Sequence, residues 1–446
     1  MAERLSAREV VTALADDATF AELPAPARKS RPDGPLAWPG YDDARARAAE
    51  RTGEQESVVC GTARVGGVRA VLIAFEFGFL GGSLGERTGD RLEAAYAYAR
   101  ERRLPVVPLV ATGGSRMQEG MLALTQLQRV ARQSALTREA GLAQVAVLRD
   151  PTTGGGWATL GAGADVVLAL PGAQVGFAGS RVRPADADPA AYTAEAQVAA
   201  GAADAVVRPQ ELRETLGRWL RLLTCPSTTP APPPGPLGES AVLPVTGWDA
   251  VRRARSPQRP RAGAYLDAYF TERTAVSGDR CGGTDPDGML CGFGTHEGRT
   301  VAYAAQTGTA TRPAGYRTAA RLIRLADRLG IPVLTLVDTP GAANDAQAER
   351  QGAGAAIADL FGAVAGARTP VTTLVIGEGG SGGALALAAP GNTWATPDSY
   401  FSVIAPELAA AILKRPPREV ESTADQLRIR PQDLVELGVI RGTVGG

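Results

Sequence analysis

Residues 111–120 read Ala-Thr-Gly-Gly-Ser-Arg-Met-Gln-Glu-Gly, and residues 377–386 read Gly-Glu-Gly-Gly-Ser-Gly-Gly-Ala-Leu-Ala. Each stretch follows a β-branched apolar run, at 105–110 and at 371–376, and opens an apolar segment typical of a helix. A strand that leads through glycines into a helix presents unpaired backbone N–H groups at the positive end of the helix dipole. Such a turn can hold an oxyanion or an enolate without any ionisable side chain. The two stretches therefore predict one site with two anion-stabilising corners.

The composition disfavours several classes of protein. The 446 residues suffice for two or three domains, and a hydrophobic content of 44% allows large cores. The 47 basic and 47 acidic residues cancel, so no strong field attracts nucleic acid or anionic lipid. No apolar run approaches the roughly 20 residues of a membrane span, and the charged N-terminus lacks the apolar core of a signal peptide. We therefore predict a soluble, cytoplasmic protein.

The cysteines and the single histidine narrow the chemistry further. Cys60, Cys225, Cys281 and Cys291 are scattered and form no Cys-x-x-Cys pair. We therefore expect neither a disulfide framework nor a bound metal. His296 falls in a predicted hairpin turn, where its side chain is expected to be exposed. A Ser-His-Asp hydrolase would need this one histidine, so that class is disfavoured.

The chain divides into two β/α blocks. We predict a poorly ordered N-terminal arm with one short helix at 1–40, a first block at 41–224, an extended and exposed proline-rich linker at 225–247, and a second block at 248–446. In the first block, apolar patterns predict strands at 58–62, 68–75, 106–110, 145–148 and 166–170. Helical patterns fall at 88–102, 120–139 and 194–199.

The two blocks also resemble each other. A hairpin at 61–75 has a counterpart at 292–305, and a helix follows each hairpin, at 88–103 and at 316–329. The next strands, at 104–110 and 331–337, correspond as well. This pattern indicates a duplication with a period of about half the chain. It favours a pseudo-twofold pair of domains with the site between the halves.

Further motifs carry a family resemblance. In the first block they are 41–42, 79–85, 113–120, 150–155 and 176–182; in the second they are 278–280, 315–317, 338–342, 348–352, 377–386 and 400–407. The first set resembles the β subunit of bacterial acetyl-CoA carboxylase carboxyltransferase, and the second set resembles the α subunit of the same enzyme. The chain looks like a natural β–α fusion.

That resemblance implies an α/β fold, a duplicated crotonase-type (ClpP/crotonase) superhelix of ββα units in two similar domains. The implied reaction moves CO2 between carboxybiotin and the α-carbon of a short acyl thioester of the acetyl/malonyl type. An enolate on this path needs N–H donors rather than a strong side-chain base, which agrees with the two glycine stretches.

The resemblance also implies the site residues. The thioester carbonyl is expected at Gly113 and Gly114, and the biotin carbonyl at Gly382 and Gly383 with the Ala384 amide. Which pair serves which carbonyl stays open. The expected substrate-binding residues are Gly81, Gly82, Ser115, Arg116, Gly154, Gly155, Arg181, Arg317, Pro340 and Gly341.

Several of these residues have a structural alternative. The glycines at 81–82 form either a bend beside the thioester or a packing contact. Pro340 and Gly341 either line the site or only end a strand. The three arginines either hold the phosphates of CoA or pair with surface carboxylates, which is the commoner fate of arginine. A Gly114→Val exchange is predicted to abolish turnover and to leave the fold intact.

The sequence departs from the family pattern at two places. The four-cysteine zinc ribbon of bacterial β subunits is missing. The sequence also reads Gln306-Thr307-Gly308 where α subunits usually carry Gln-Lys-Gly. The loss of that lysine removes a cation that could serve a phosphate or a developing anion.

The expected partners follow from what the chain lacks. No biotin-attachment motif around a lysine and no ATP-binding glycine loop are found, so no covalently bound cofactor is expected. Carboxybiotin would come from a separate biotin carboxyl carrier protein, which a biotin carboxylase charges. A homo-oligomer, dimer or larger, is expected, and neither nucleic acid nor membrane is an expected partner.

Two other functions stay open at this point. One is a biotin-independent decarboxylase of malonyl-CoA or malonyl-acyl carrier protein, because the same corners would hold the enolate formed when CO2 is lost. The other is a non-catalytic scaffold of a carboxylase complex.

Overall fold

The computed structural model describes residues 4–29, 31–238 and 242–445. It divides into two compact units, Met1–Thr224 and Cys225–Gly446. Residues 1–3 and 30 of the predicted arm, 239–241 of the predicted linker and 446 of the second block lie outside the described residues. Each unit is an α/β structure built on a mixed sheet.

The first unit contains strands β1 to β8 and helices α1 to α7. The strands are β1 Ala21–Glu22, β2 Val58–Val65, β3 Val68–Phe75, β4 Val106–Thr112, β5 Val145–Thr153, β6 Val166–Ala169, β7 Val175–Gly176 and β8 Ala205–Val206. The helices are α1 Ala7–Leu14, α2 Tyr41–Thr52, α3 Glu86–Arg102, α4 Gly120–Glu139, α5 Gly154–Gly156, α6 Ala194–Ala199 and α7 Pro209–Leu223.

The first sheet brings three strand ends together. Its order is β1-β2-β3-β4-β5-β6-β8, with β7 against β5. β2 and β3 form an antiparallel hairpin through Gly66 and Gly67, whose φ angles of 56° and 84° are those that glycine adopts without strain. β3, β4 and β5 run parallel, so their carboxyl ends meet at one edge of the sheet. Ligands bind at this edge in open parallel sheets.

The second unit contains strands β9 to β16 and helices α8 to α16. The strands are β9 Glu272–Ala275, β10 Met289–His296, β11 Arg299–Gln306, β12 Val333–Thr339, β13 Val371–Gly380, β14 Thr393–Ala395, β15 Tyr400–Ser402 and β16 Gly442–Thr443. The helices are α8 Gly247–Ala254, α9 Ala262–Tyr269, α10 Pro313–Leu329, α11 Ala346–Arg350, α12 Ala353–Gly366, α13 Ser381–Leu385, α14 Pro406–Ile412, α15 Val420–Gln426 and α16 Pro431–Glu436.

The second sheet repeats the topology of the first. Its order is β9-β10-β11-β12-β13-β14-β16, with β15 against β13. The helices that follow the two hairpins, α3 and α10, are both 17 residues long. The strand register shifts between Val110 and Thr112 in β4, and between Val337 and Thr339 in β12. The predicted duplication therefore extends to the irregularities of the strands.

The central strands are buried along their length and mostly apolar. Every residue of β4 and of β12 is buried. Continuous apolar runs of this kind are typical of parallel strands with helices on either side. Among the described residues, no helix combines the length and the apolar character needed to cross a membrane.

The sequence located the regular elements well but ended some strands too early. The strand predicted at 68–75 and the helices predicted at 120–139 and 194–199 have the predicted bounds. β4 extends to Thr112 and β5 to Thr153, because parallel pairing continues through Thr112 and Thr152 after the apolar run has stopped. These extensions carry the backbone into the glycine turns.

The predicted N-terminal arm is packed rather than poorly ordered. Ser6 and Glu9 form a capping box at the start of α1, and α1 buries Val10 and Val11 in the first unit. β1 then adds an antiparallel edge strand to β2. The predicted short helix is present, but the expectation of poor order was wrong, because the Ala, Pro and charge content does not reveal that the apolar face of α1 packs on the first unit.

The predicted linker is extended, but part of it is buried. Ala231 is 1% exposed, and its carbonyl accepts a hydrogen bond from Thr372 Oγ1 at 2.7 Å. The carbonyl of Pro232 accepts from Tyr269 Oη at 3.0 Å. A high proline content indicates a segment without regular backbone hydrogen bonds. It does not exclude that the segment packs against the rest of its own unit.

His296 is not the exposed turn residue that the sequence predicted. The hairpin is present, but His296 ends β10 and pairs with Arg299. Its ring stacks on Tyr269 with a centroid distance of 3.7 Å and an interplanar angle of 5°. Its Nδ1 lies 2.7 Å from the Tyr269 carbonyl oxygen. Its contacts are therefore those of a packing residue at the end of the hairpin.

Candidate active site

The first glycine stretch forms an open corner at the carboxyl ends of the parallel strands. We call Gly81, Gly113, Gly114 and Gly154 the N-terminal corner. A Cβ built on Gly154 would lie 3.3 Å from the Gly114 Cα, and one built on Gly81 would meet nothing within 4 Å. The φ angles of Gly81, Gly114 and Gly154 are 69°, 109° and 63°, values that favour glycine. Three loops therefore meet here without side chains.

The N–H groups of this corner differ from the prediction. Gly113 N–H donates to the Gly81 carbonyl at 2.9 Å, so it is not a free oxyanion donor. Gly114 N–H donates to Thr112 Oγ1 at 3.0 Å, and Thr112 is fully buried. The Gly114→Val exchange also loses its value as a test, because a branched residue at a φ of 109° would strain the backbone.

Three of the predicted substrate-binding residues are explained by packing. A Cβ on Gly82 would lie 2.1 Å from the Ala111 carbonyl oxygen, and one on Gly155 would lie 2.3 Å from Leu127 Cδ1. Ser115 is half-buried and forms a parallel bridge with Leu84. These residues let the loops approach one another, and Gly82 and Gly155 present no surface to a ligand.

Arg116 is a buried structural residue rather than a phosphate ligand. Its side chain is 1% exposed and forms an ion pair with Glu56, which is equally buried. Nη1 and Nη2 each bond one oxygen of Glu56, and Nη2 also bonds the Ser83 carbonyl at 2.7 Å. Tyr41 Oη accepts from Nη1 at 3.1 Å and donates to Glu119 Oε1 at 2.6 Å. This network fixes the loop that carries the N-terminal corner.

The ion pair determines the protonation of Glu56. Burial alone would raise the pKa of this carboxyl, but the charge and hydrogen bonds of Arg116 outweigh burial and lower the pKa. Removing one member of a buried pair leaves an uncompensated charge and typically costs about 3–5 kcal/mol. The pair is therefore a condition for the geometry of the corner.

The second glycine stretch forms a corner between the ends of β12 and β13. We call Pro340, Gly341, Gly382 and Gly383 the C-terminal corner. A Cβ on Gly383 would lie 2.5 Å from the Ala342 N, whereas one on Gly382 would meet nothing within 4 Å. Gly383 is thus required by packing, and Gly382 faces open space.

The N–H groups of this corner are available to a ligand. Gly382 and Gly383 lie in the first turn of α13, where N–H groups have no intrahelical acceptor, and no hydrogen bond from either is found within the part of the chain that the structure describes. The Gly383 carbonyl accepts from Gln306 Nε2 at 3.0 Å and from Tyr316 Oη at 3.1 Å. These two donors fix the peptide that joins Gly383 to Ala384.

A buried ion pair also supports the C-terminal corner. Asp338 is fully buried, and Arg259 Nη2 lies 2.9 Å from both of its carboxylate oxygens. Asp338 Oδ1 accepts from the Glu378 N–H at 3.1 Å, and Arg259 Nη1 donates to the Ile376 carbonyl at 2.8 Å. The pair thereby ties the end of β12 to the strand that carries the glycines.

The two other predicted arginines differ from each other. Arg317 is bound internally: Nε and Nη2 bond Asp279 Oδ2 at 2.8 and 2.6 Å, and Nη1 donates to the Gln351 carbonyl at 3.0 Å. It is therefore committed to holding the Asp279 loop. Arg181 lies in an exposed segment of the first unit.

The two glycine stretches do not occupy equivalent positions in the duplicated units. The 113–114 pair follows the second parallel strand of its unit, β4, so its structural counterpart is the 340–342 turn after β12. The 382–383 pair follows the third parallel strand, β13, so its counterpart is the start of α5 at 154–156. Sequence reasoning missed this relation because glycine content draws attention to the turns rather than to their place in the sheet.

The fold and the corners define the class of protein. Two ββα units, each with a glycine corner at the carboxyl ends of its parallel strands, form a duplicated crotonase-type structure. Glycine corners of this kind can present backbone N–H groups at positions where negative charge develops.

Two family models match the chain. A carboxyl transferase domain matches residues 37–203, and an acetyl co-enzyme A carboxylase carboxyltransferase-like family matches residues 238–445. The acetyl-coenzyme A carboxylase carboxyl transferase subunits beta/alpha of Saccharopolyspora erythraea are 38% identical over 427 residues, covering 91% of this chain and 74% of the relative. The chain belongs to the acetyl-CoA carboxylase carboxyltransferase family, in its fused β/α form, and it is an enzyme of that family.

Two further comparisons agree. A protein of Mycobacterium tuberculosis named as a biotin-dependent acyl-coenzyme A carboxylase beta3 subunit is 35% identical, covering 91% of this chain and 84% of the relative. The structure of transcarboxylase 12S, solved with methylmalonyl-coenzyme A and methylmalonic acid bound, has a TM-score of 0.81 at 22% identity, covering 99% of this chain and 87% of the other. The predicted crotonase-type fold and the predicted family are confirmed.

The buried ion pair of Arg116 and Glu56 predicts a stability difference between wild type and a Glu56 variant that depends on pH. Glu56→Gln should cost up to about 3–5 kcal/mol at pH 7, because Arg116 loses its closest counterion and keeps only the more distant Glu119, at 3.7 Å. A carboxyl group whose pKa is lower in the folded protein stabilises the fold at pH values above the unfolded pKa of glutamate, about 4.3. This stabilisation is lost as the pH falls through the folded-state pKa. The difference between wild type and variant should therefore shrink as the pH is lowered below about 4.3.

Urea unfolding between pH 3 and pH 7 measures this difference. Glu214→Gln is the matched control, since Glu214 is 75% exposed and its loss should change stability by less than about 0.5 kcal/mol. A difference between wild type and Glu56→Gln that stayed constant with pH would contradict the assignment.

Proposed function

We propose that the chain transfers a carboxyl group between biotin, presented by a separate carrier protein, and the α-carbon of a short acyl-CoA of the acetyl/malonyl type. The observation that carries this proposal is the C-terminal corner, where the N–H groups of Gly382 and Gly383 find no acceptor among the described residues and a Cβ on Gly382 would meet open space. Membership of the carboxyltransferase family supports the reaction class.

The acyl thioester is assigned to the N-terminal corner. When its α-carbon loses a proton, negative charge moves to the thioester oxygen, and a backbone N–H at that position lowers the barrier. One such donor is worth about 2.7–4 kcal/mol. We assign this role to the Gly114 N–H, which would exchange the Thr112 hydroxyl for the substrate oxygen. Gly113 and Gly81 line the approach without side chains.

Biotin is assigned to the C-terminal corner, which fits its ureido carbonyl. When bound there, carboxybiotin would supply CO2, and the ureido anion of biotin left by that loss would accept the α-proton of the substrate. Gly382 and Gly383 would donate to its carbonyl oxygen, and Gln306 and Tyr316 hold the following peptide, which joins Gly383 to Ala384. Because this adjoining peptide is fixed before the ligand arrives, the turn that carries the two donors needs little reorganisation during the reaction.

The partners follow from the reaction. We propose a biotin carboxyl carrier protein and a biotin carboxylase, since the chain itself carries no biotin-attachment lysine motif. A relative bears the name of a biotin-dependent carboxylase subunit. No nucleic acid or membrane partner is proposed, and a cytoplasmic location stays a prediction from the sequence.

We also propose a homo-oligomer, a dimer or larger. Large apolar side chains are exposed on the loops and on α4 beside the N-terminal corner: Met117 by 77%, Met121 by 67%, Phe177 by 74% and Val182 by 75%. Contiguous exposed apolar surface marks interaction sites. The structural neighbour transcarboxylase 12S is described as a hexamer assembly.

The oligomer can be tested at Met121. Met121→Glu should shift the sedimentation velocity of the protein toward the monomer, because it places a charge in an apolar interface. Val242→Glu is the control, since Val242 is 70% exposed in the linker. A wild-type protein that sediments as a 46.0 kDa monomer at micromolar concentration would contradict the proposal.

The reaction is tested in reverse. Purified protein with malonyl-CoA should release CO2 and acetyl-CoA only when free biotin is added, as followed by mass spectrometry. Malonyl-acyl carrier protein in a parallel incubation should remain intact. Rapid loss of malonyl without biotin would identify a decarboxylase instead, and no loss under any condition would favour a scaffold.

The C-terminal corner is tested by adding a side chain to it. Gly382→Val should lower turnover by roughly 100-fold or more by obstructing the N–H donors, with an unchanged melting temperature, because its Cβ has free space. Gly362→Val in α12 is the matched control, since a Cβ there also meets nothing within 4 Å. Full activity of Gly382→Val would show that biotin lies elsewhere.

A further inference from the structure

The turn after β11 reads Gln306-Thr307-Gly308-Thr309, and its two threonines hold it in place. Thr307 Oγ1 and Thr309 Oγ1 both donate to the Asp287 carbonyl. The Gly308 N–H donates to the Asp338 carbonyl at 2.7 Å. The turn is thus held firmly, but none of its residues supplies a positive charge.

A guanidinium group from another element lies against this turn. A Cβ built on Gly308 would lie 2.4 Å from Arg261 Nη1, so the guanidinium lies directly against this glycine. Gly308 also has a φ of 100°. Arg261 is the residue that precedes α9. It lies far from the turn in sequence, so no sequence motif indicates that the two are close in space.

The charges around Arg261 leave one positive charge in excess. Arg259 is 2% exposed and neutralises Asp338 by contacting both carboxylate oxygens. Arg261 adds a second guanidinium, with Nη1 3.2 Å from Asp338 Oδ2, and its side chain is 40% exposed. One carboxylate therefore faces two guanidinium groups, of which only Arg261 reaches solvent.

The nearby acidic groups are bound elsewhere or face the solvent. Glu378 is bound by Arg255 Nε and by Tyr400 Oη, each at 2.8 Å. Asp287 is exposed, and the atom that holds the turn is its backbone carbonyl oxygen. Within the described ranges, Arg261 Nε and Nη2 make no hydrogen bond. These two groups form the edge of a guanidinium that binds a carboxylate through two parallel hydrogen bonds.

The turn and the C-terminal corner are directly connected. Gln306 ends β11, and its Nε2 donates to the Gly383 carbonyl at 3.0 Å. β11, β12 and β13 are parallel neighbours, so their carboxyl ends form one continuous edge. Arg261 and the assigned biotin position therefore lie on the same edge of the second sheet.

We propose that Arg261 binds the carboxylate that the enzyme transfers, through Nε and Nη2, and so supplies the positive charge that the turn at 306–309 itself does not carry. This inference rests on the proposed carboxyl transfer. It makes Arg261 a substrate-binding residue that recognises the malonyl carboxylate and not the rest of the CoA thioester.

The test compares substrates with and without the carboxylate. In Arg261→Gln, the affinity for malonyl-CoA and the kcat/KM of its biotin-dependent decarboxylation should fall about 10- to 100-fold, the value of charged hydrogen bonds to a carboxylate. The affinity for acetyl-CoA, measured by calorimetry, should not change. Arg261→Gln combined with Thr307→Lys should recover part of the loss, because a lysine at 307 returns the cation to the same turn.

The control is Arg324→Gln, since Arg324 pairs with Asp359 on the surface of the same unit and is 54% exposed. Unchanged malonyl-CoA affinity in Arg261→Gln would overturn the proposal. An equal loss of acetyl-CoA affinity would overturn it too, since that result would place a CoA phosphate at Arg261. An inactive wild type would count against the carboxyltransferase function, whereas the binding comparison still decides the role of Arg261.

Discussion

The close approach of loops at the carboxyl ends of parallel strands is the constraint on which both corners depend. A Cβ on Gly82 would lie 2.1 Å from the Ala111 carbonyl oxygen, and one on Gly380 would lie 2.1 Å from the Pro340 carbonyl oxygen. No residue with a side chain fits at either place, so these glycines allow the backbones to touch. The loops can then carry other glycines, such as Gly81 and Gly382, whose missing side chains leave room for a ligand.

A buried ion pair supports each corner, although burying charges is expensive. In the first unit Arg116 and Glu56 hold the loop from below, and in the second unit Arg259 and Asp338 connect two neighbouring strand ends. Each arginine also binds backbone carbonyls, so the pair fixes the course of the main chain as well as its charge. Backbone donors contribute most to catalysis when they are held in place before the substrate arrives. The polar interior of each unit therefore serves the geometry of its corner.

The duplication makes the differences between the units informative. The units share strand order, helix length and register shifts, yet their glycine-rich turns follow different strands. In the N-terminal corner the Gly113 N–H donates to the Gly81 carbonyl, whereas two N–H groups of the C-terminal corner make no hydrogen bond with any residue that the structure describes. One scaffold thus provides two corners of different chemistry, which suits a reaction between two different carbonyl groups.

The sequence by itself determined the two β/α blocks, the duplication, the bounds of β3 and α4, and the family, because apolar periodicity and glycine turns are local properties of the chain. Tertiary structure alone decided the roles of the arginines: Arg116 and Arg317 bind buried carboxylates, and Arg261 lies against a turn 47 residues away, at Gly308. Residue type does not indicate whether a guanidinium is buried or which carboxylate it meets. Those outcomes depend on contacts between segments distant in sequence, and only the folded chain brings these together.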